Sequence, residues 1–404
     1  MAKYFYTAKS LKGEEKTGTL EAKDIHQLSQ KLRGEGFILI KAQSETGPKK
    51  GSFKIPLPFL GVSLPEKIFF VRNLQVMIAA GLPLPRAIEA LSNQVKNSEF
   101  KKALIDIKDE ITKGKNLSDS LGSHPEIFSE LFQAMVKVGE ESGTLEDVLK
   151  TLSFQMEKEH SLKSQLKGAM IYPAVIITAM IGVGVLMLIM VIPKLAATFD
   201  ELNIELPMAT QVIIGFADFL AHQWKLVIIF LLFLIVVLSQ ALKIKEVKKI
   251  VDKLVLKIPI ISPLVKKTSA AYTVRTLSSL IAAGTPLPRT LEITSKTLGN
   301  FYYKEAMGEA AKKVRKGEKL SEVLSSYKSI YPPIVIQMIA VGEETGETSG
   351  ILAKLADFFE EEVSIATKNL ASVIEPVLMI IIGTVIGFFA VSMIQPMYSM
   401  LGAI

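Results

Sequence analysis

The chain has no cysteine in 404 residues, which excludes disulfides and thiol chemistry and says little more. Histidine is scarce as well. His26, His124, His160 and His222 are scattered over three regions, and no metal-ligand spacing joins them. Nucleotide and hydrolase signatures are also missing. No G-x-x-x-x-G-K-[ST], G-x-G-x-x-G or G-x-S-x-G occurs, and Gly13-Glu-Glu-Lys-Thr-Gly-Thr imitates the first without its lysine. Any ATP-driven work must come from a partner, and neither a cofactor nor a bound metal is expected. The opening Met1-Ala-Lys-Tyr-Phe-Tyr-Thr lacks the apolar core of a secretory signal, so the first segment is expected to stay in the cytoplasm.

What the chain does have is apolar residues. They make up 49% of it, with mean hydropathy +0.35, too high for an ordinary soluble protein. Three segments, 171–193, 224–242 and 373–395, are long enough at ~1.5 Å per residue to cross ~30 Å of hydrocarbon. Within them only Lys225 and Glu375 are charged, both near an end where a polar head reaches the interface. Flanking charge gives the orientation. Residues 194–223 hold one lysine against Asp200, Glu201, Glu205 and Asp218, whereas 243–267 hold eight lysines against Glu246 and Asp252. Basic flanks stay inside, which puts the N-terminus in the cytoplasm and the C-terminus outside. The net charge of +7 follows the same rule and suits anionic membrane lipid better than nucleic acid, which is not expected as a partner.

A repeat organises the rest. Residues 72–86 read R-N-L-Q-V-M-I-A-A-G-L-P-L-P-R and residues 275–289 read R-T-L-S-S-L-I-A-A-G-T-P-L-P-R. The shift, 275 − 72 = 203, persists without a gap through Gly114 and Gly317, the two V-G-E-E segments, Pro173 and Pro376, and Pro193 and Pro396. Each copy therefore shares one fold. Three- and four-residue apolar spacing at Ile68, Val71, Leu74, Met77 and Ile78 predicts a helix that ends at Gly81, with Pro83 and Pro85 opening the next.

The expected fold class is mainly α, a membrane protein with two homologous cytoplasmic helical bundles, three transmembrane helices and a small α+β module at the N-terminus. In order, these are a module at 1–45, with strands near Tyr4, Thr17 and Gly36 and a helix capped by Asp24; a linker at 46–64; the first bundle at 65–170; and span 171–193. An extracytoplasmic loop at 194–223, a return span at 224–242, a basic connector at 243–271, the second bundle at 272–372, span 373–395 and a short outer tail at 396–404 follow. The last helix of each bundle has no evident stop before the membrane, so a single helix is expected to leave the bundle and enter the bilayer, bending at Pro173 or Pro376.

Four groups of residues are candidates for function. Glu140, Glu141, Glu343 and Glu344 either complement a helix dipole, with Thr144 and Asp147 as a capping box, or meet a basic partner or a divalent cation. Arg72, Arg86, Arg275 and Arg289 bracket the glycine-proline turns. Surface pairs Arg86 with Glu89 and Arg289 with Glu292 compete there with partner contact. Gly383 and Gly387 form G-x-x-x-G, and Thr178 with Gly182 a small-xxx-small pair, for packing between spans or protomers or for an apolar partner helix. Pro173 and Pro376 are hinge candidates.

The doubled A-A-G-x-P-L-P-R and V-G-E-E-[ST]-G segments, the A-M-I-Y-P start of the first span and the N-terminal Y-x-A-K-S…G-T-L-E-A together resemble the inner-membrane platform family of type IV pili and type II secretion. The resemblance covers essentially the whole chain. It implies a platform without catalytic activity that contacts a cytoplasmic hexameric ATPase, pilin or pseudopilin subunits and other inner-membrane pilus alignment proteins. The motifs do not separate the pilus branch from the secretion branch. A transporter would instead place ionisable groups at mid-membrane, and an intramembrane enzyme would need partners that Ser239 and Ser392 lack. Three spans per chain enclose little, so a symmetric homo-oligomer is expected.

Overall fold

A computed structural model describes residues 2–10, 15–22, 25–44, 61–194, 197 and 208–401. Asp24, most of the 46–64 linker and the end of the 396–404 tail lie outside the described residues. The chain divides into two units, Met1–Gly61 and Val62–Ile404.

In the first unit, strands β1 (Ala2–Ser10), β2 (Glu15–Ala22) and β3 (Phe37–Ser44) form an antiparallel sheet in the order β2-β1-β3, with helix α1 (Ile25–Gly34) between β2 and β3 in sequence. Alternation puts Tyr6, Ala8 and Ala22 on one face, and Leu28 and Leu32 of α1 bury against them. The strands expected near Tyr4, Thr17 and Gly36 are these three.

The second unit is helical and repeats itself. Copy one comprises α2 (Leu64–Ala79), α3 (Leu84–Ser92), α4 (Ser98–Thr112), α5 (Leu117–Gly122), α6 (Glu130–Ser142) and α7 (Leu145–Leu186). Local sequence sets the boundaries. Ser63 and Glu66 form a reciprocal capping box at the start of α2, Asn97 accepts from the Glu99 and Phe100 amides at α4, and Ser129 caps α6. The chain then crosses to α8 (Met208–Ala241) and α9 (Lys245–Val255). Copy two follows as α10 (Ser262–Ala282), α11 (Leu287–Thr297), α12 (Phe301–Val314), α13 (Leu320–Ser325), α14 (Pro333–Thr345) and α15 (Thr348–Leu401).

Backbone geometry keeps the same register as the sequence. Left-handed glycines fall at Gly81, Gly114 and Gly143 in copy one and at Gly284, Gly317 and Gly346 in copy two, and each pair is 203 apart. Each ends a helix in a conformation that L-residues adopt only at a cost. Copy one buries Phe70, Leu74, Ile88, Leu91, Phe100, Leu104 and Met135, at roughly 1.5–3 kcal/mol for each large side chain. The two cores are not sealed from each other. Leu280 and Ile293 of copy two belong to the first core, and Leu162 of copy one belongs to the second.

Three helices are long and apolar enough to cross a membrane, lying within Leu145–Lys194, His222–Ala241 and Thr348–Val391. As expected, α7 and α15 each run from a bundle into an apolar span as one helix. Helical backbone continues through the buried Pro173. The irregularity lies further along, where Met187–Val191 forms a π-turn and the Ile192 amide reaches back to the Met187 carbonyl.

Two connecting regions carry helices that the sequence reading did not assign. Much of 194–223, expected as a loop, is helix from Met208, interrupted only at Gln223 (φ −118°, ψ 26°). Its apolar stretch Gln211–Leu220 is too short to span a bilayer but buries Ile213 and Ala217 against Ile192, Leu188 and Phe389. The basic connector 243–271 is also helical, and α10 begins at Ser262. Asp252 in α9 accepts the Phe301 amide at 2.7 Å, which fixes α9 to the start of α12.

Candidate functional site

The repeated V-G-E-E-[ST]-G segment resolves into separate tasks, residue by residue. Gly139 and Gly342 allow a close approach of helices. A Cβ on Gly139 would lie 3.1 Å from the Leu145 Cα, and one on Gly342 would lie 3.0 Å from the Thr348 Cα. Next along, Glu140 accepts the Leu117 and Ser118 amides at 2.5 and 2.9 Å, and Glu343 accepts the Leu320 and Ser321 amides at 2.6 and 3.1 Å. Both carboxylates thus close the N-terminus of a six-residue helix, α5 or α13, satisfying amides that have no partner within the helix. Glu343 also accepts from the Ser321 hydroxyl.

Glu140 and Glu141 lie in the last turn of α6, and Glu140 complements the start of α5 rather than of the helix that follows it. The expected capping box at Thr144 and Asp147 does not form. Thr144 has φ −107° and ψ 33° and makes no side-chain cap bond, and its hydroxyl lies 2.6 Å from that of Ser142. Glu141 and Glu344 are left exposed. Glu141 is 3.9 Å from Lys137, and Glu344 makes no ion pair with a described residue. Among the described residues, no group of three or more His, Cys, Asp or Glu is placed to hold a metal ion.

The four arginines meet four different environments. Arg72 is exposed, and its guanidinium is 3.8 Å from Glu157. Arg275 is buried. Its Nε donates to Glu360 at 2.7 Å and its Nη2 to Asp357 at 2.5 Å, while its guanidinium lies 5.4 Å from the centre of the Phe154 ring. Burial alone would lower the pKa of Arg275, but the bonds to Glu360 and Asp357 outweigh it and raise the value. Lys158 of copy one completes the cluster, donating to Glu360 at 2.9 Å and to Asp357 at 3.1 Å. Since 157 + 203 = 360, Arg72–Glu157 and Arg275–Glu360 are the same pair in two settings.

Arg289 pairs with Glu292 at 3.1 Å, as the spacing predicts, and also with Glu130 of copy one at 3.1 Å. Lys296 joins Glu130 at 2.8 Å, and Arg315 contacts Glu292. Arg86 has no such network. It is exposed and forms no ion pair with Glu89 or any other described residue. The bridging residues Lys158, Asp357, Glu360, Glu130 and Lys296 give no signal in the sequence, because each acts across the two copies.

In the spans, Gly182, Gly383 and Gly387 have nothing within 4 Å of an added Cβ, and Thr178 donates to its own helix at the Ala174 carbonyl. None of these small residues packs against another described span. All four are exposed.

Comparison with known proteins follows the same register. The family "Type II secretion system (T2SS), protein F" matches residues 70–193 and 273–396, and its N-terminal domain matches residues 1–43. The "Type IV pilus assembly protein PilC" of Myxococcus xanthus is 34% identical over all of this chain and 96% of its own length. That of Pseudomonas aeruginosa is 34% identical over 91% of this chain and 97% of its own. The "Type II secretion system protein F" of Vibrio cholerae is 29% identical over 99% and 98%. With both helical copies and the sheet module matched in turn, this chain belongs to the type II secretion system protein F family.

Proposed function

We propose that the chain is a non-catalytic inner-membrane platform for type IV pilus biogenesis, coupling a cytoplasmic hexameric ATPase to the insertion or extraction of pilin subunits. One observation carries the reading: each bundle continues into an apolar span as a single helix, α7 or α15. Force applied to a bundle then reaches the membrane through unbroken backbone. The second reading is the equivalent platform of a type II secretion system, acting on pseudopilins. Relatives named for pilus assembly are 29–34% identical and those named for type II secretion 29–31%; the ranges overlap, and the two at 34% carry the pilus name.

On this reading the N-terminus and both copies lie in the cytoplasm and the C-terminus outside, among pilus alignment proteins and lipid. Glu141, Glu344 and Arg86 are the partner contacts, because they are exposed and have no evident task in the fold. Glu140, Glu343, Arg72, Arg275 and Arg289 would shape the surface that presents them.

The test is loss of surface pili on deletion of the chain and return on complementation, with secreted enzymes scored in parallel. Pili retained and secretion lost would select the second reading. ATP hydrolysis above background by the purified protein would overturn the non-catalytic assignment. A pull-down from membranes, with residues 1–170 present or removed, scores bound ATPase and pilin directly.

A further inference from the structure

Inside the chain, one copy lies on the other through a defined face. On α10, Arg275 and Ser279 are 5% and 6% exposed, because α15 of the same copy and α7 of the other cover them together. The Phe154 ring and Lys158 sit at Arg275, Gln155 accepts the Ser279 hydroxyl at 2.8 Å, and Leu162 is buried in the second core. Tyr272, Arg275 and Ser279 correspond, 203 residues earlier, to Phe69, Arg72 and Val76 on α2. There nothing covers the face. Phe69 and Val76 are 47% and 57% exposed, Arg72 is exposed, and an open groove of about 650 Å³ runs between α2 and α7.

The covering face is also duplicated and free. Gln155, Lys158 and Leu162 correspond to Phe358, Glu361 and Ile365 on α15. Phe358 and Ile365 are 49% and 44% exposed, and Glu361 is exposed too. Each chain therefore has one satisfied contact of this kind and one unsatisfied half at each end.

We propose that a second copy of this chain fills the open half. Phe358, Glu361 and Ile365 of one molecule lie on Phe69, Arg72 and Val76 of the next, as α7 lies on α10 within each. The differences between the copies are matched. The polar pair Gln155 and Ser279 within the chain becomes the apolar pair Phe358 and Val76 between chains. Lys158 becomes Glu361, which brings opposite charge to Arg72. In the groove, His160 and Ser164 stand where copy two has the buried Val363 and Thr367. The contact between chains thus has a more polar flank than the one within. It is head-to-tail, so it closes into a ring when the rotation permits.

A chain free of cysteine makes the test clean. Differently tagged full-length Val76→Cys and Phe358→Cys chains are co-expressed in membranes and oxidised. The expected product joins the two tags, the double variant gives a ladder of multimers, and neither single variant joins to itself. Gln155→Cys with Ser279→Cys in one chain is the control, locking the internal contact without a change of mass.

Self-crosslinking of Val76→Cys, capture of a different protein, or no product while the control forms would each overturn the proposal. Arg72→Glu should lower the yield by about tenfold or more, and Glu361→Arg should restore it. An unchanged yield in the first, or no restoration by the second, also counts against it.

Discussion

At three positions related by 203 residues, copy one holds Phe70, Phe100 and Phe128 where copy two holds Thr273, Tyr303 and Tyr331. In copy one the three rings meet with centroids 5.5–6.1 Å apart. In copy two, Tyr303 and Tyr331 pack edge to face at 4.9 Å, Tyr303 donates to the Ile330 carbonyl at 2.5 Å, and the hydroxyls of Thr273 and Tyr331 are 3.1 Å apart. Burial pushes both phenols above their ordinary pKa, so they stay neutral donors. The matching carbonyl in copy one, that of Ile127, takes Lys67 instead. Burial lowers the pKa of Lys67. The fold therefore requires a filled volume and a satisfied carbonyl at this place, and two unrelated sets of side chains supply both.

The sharpest way to break the comparison is at the two equivalent arginines. Arg275→Ala leaves the nearly buried Glu360 with Lys158 alone and should cost ~3 kcal/mol, whereas Arg72→Ala should cost under ~1 kcal/mol. Chemical unfolding in detergent measures both, and equal losses would show that the cross-copy cluster contributes nothing. Next come the carbonyl donors. Tyr303→Phe and Lys67→Met should each cost ~1–3 kcal/mol, and a neutral result at one site alone would mean that water replaces that donor.

Glu140→Gln and Glu343→Gln sharpen the likeness. Each should cost ~0.5–2 kcal/mol as a lost helix cap, with Glu343 the larger because Ser321 also depends on it. The smallest effect concerns pH. The Arg289 hydrogen bond holds the pKa of Glu292 down, slight burial opposes it, and Arg315 reinforces it. A depressed carboxylate stabilises the fold fully above its unfolded pKa, and the gain is lost as pH falls through the folded value. Acid should therefore narrow the gap in unfolding free energy between the parent and Glu292→Gln, by under ~1 kcal/mol. Glu89→Gln, which removes no ion pair, should match the parent throughout.

The repeat, the three spans and the turn glycines were legible because each is written locally: a motif that recurs, an apolar run, a residue type suited to φ above zero. Other features were not. Glu140 acts on amides 22 and 23 residues earlier, a contact that exists only once α6 has packed on α5. Arg72 and Arg275 sit in matching sequences, yet only the second is covered, because it lies under α7 of the other copy as well as against its own α15. The helix from Met208 was missed because its apolar stretch falls short of a span and no motif marks it.

The π-turn at Met187–Val191 has a consequence for the membrane. The sequences of the first and third spans stay aligned without a gap as far as Pro193 and Pro396, but a π-turn advances the azimuth by less per residue than an α-helix does. Over one such turn the lag amounts to roughly a quarter rotation, and α15 has no such turn among its described residues. The backbone of the first span therefore turns by that lag over Met187–Val191, while that of the third span stays α-helical. The duplication, kept in the sequence up to the paired prolines, is thus broken in the backbone one turn before them.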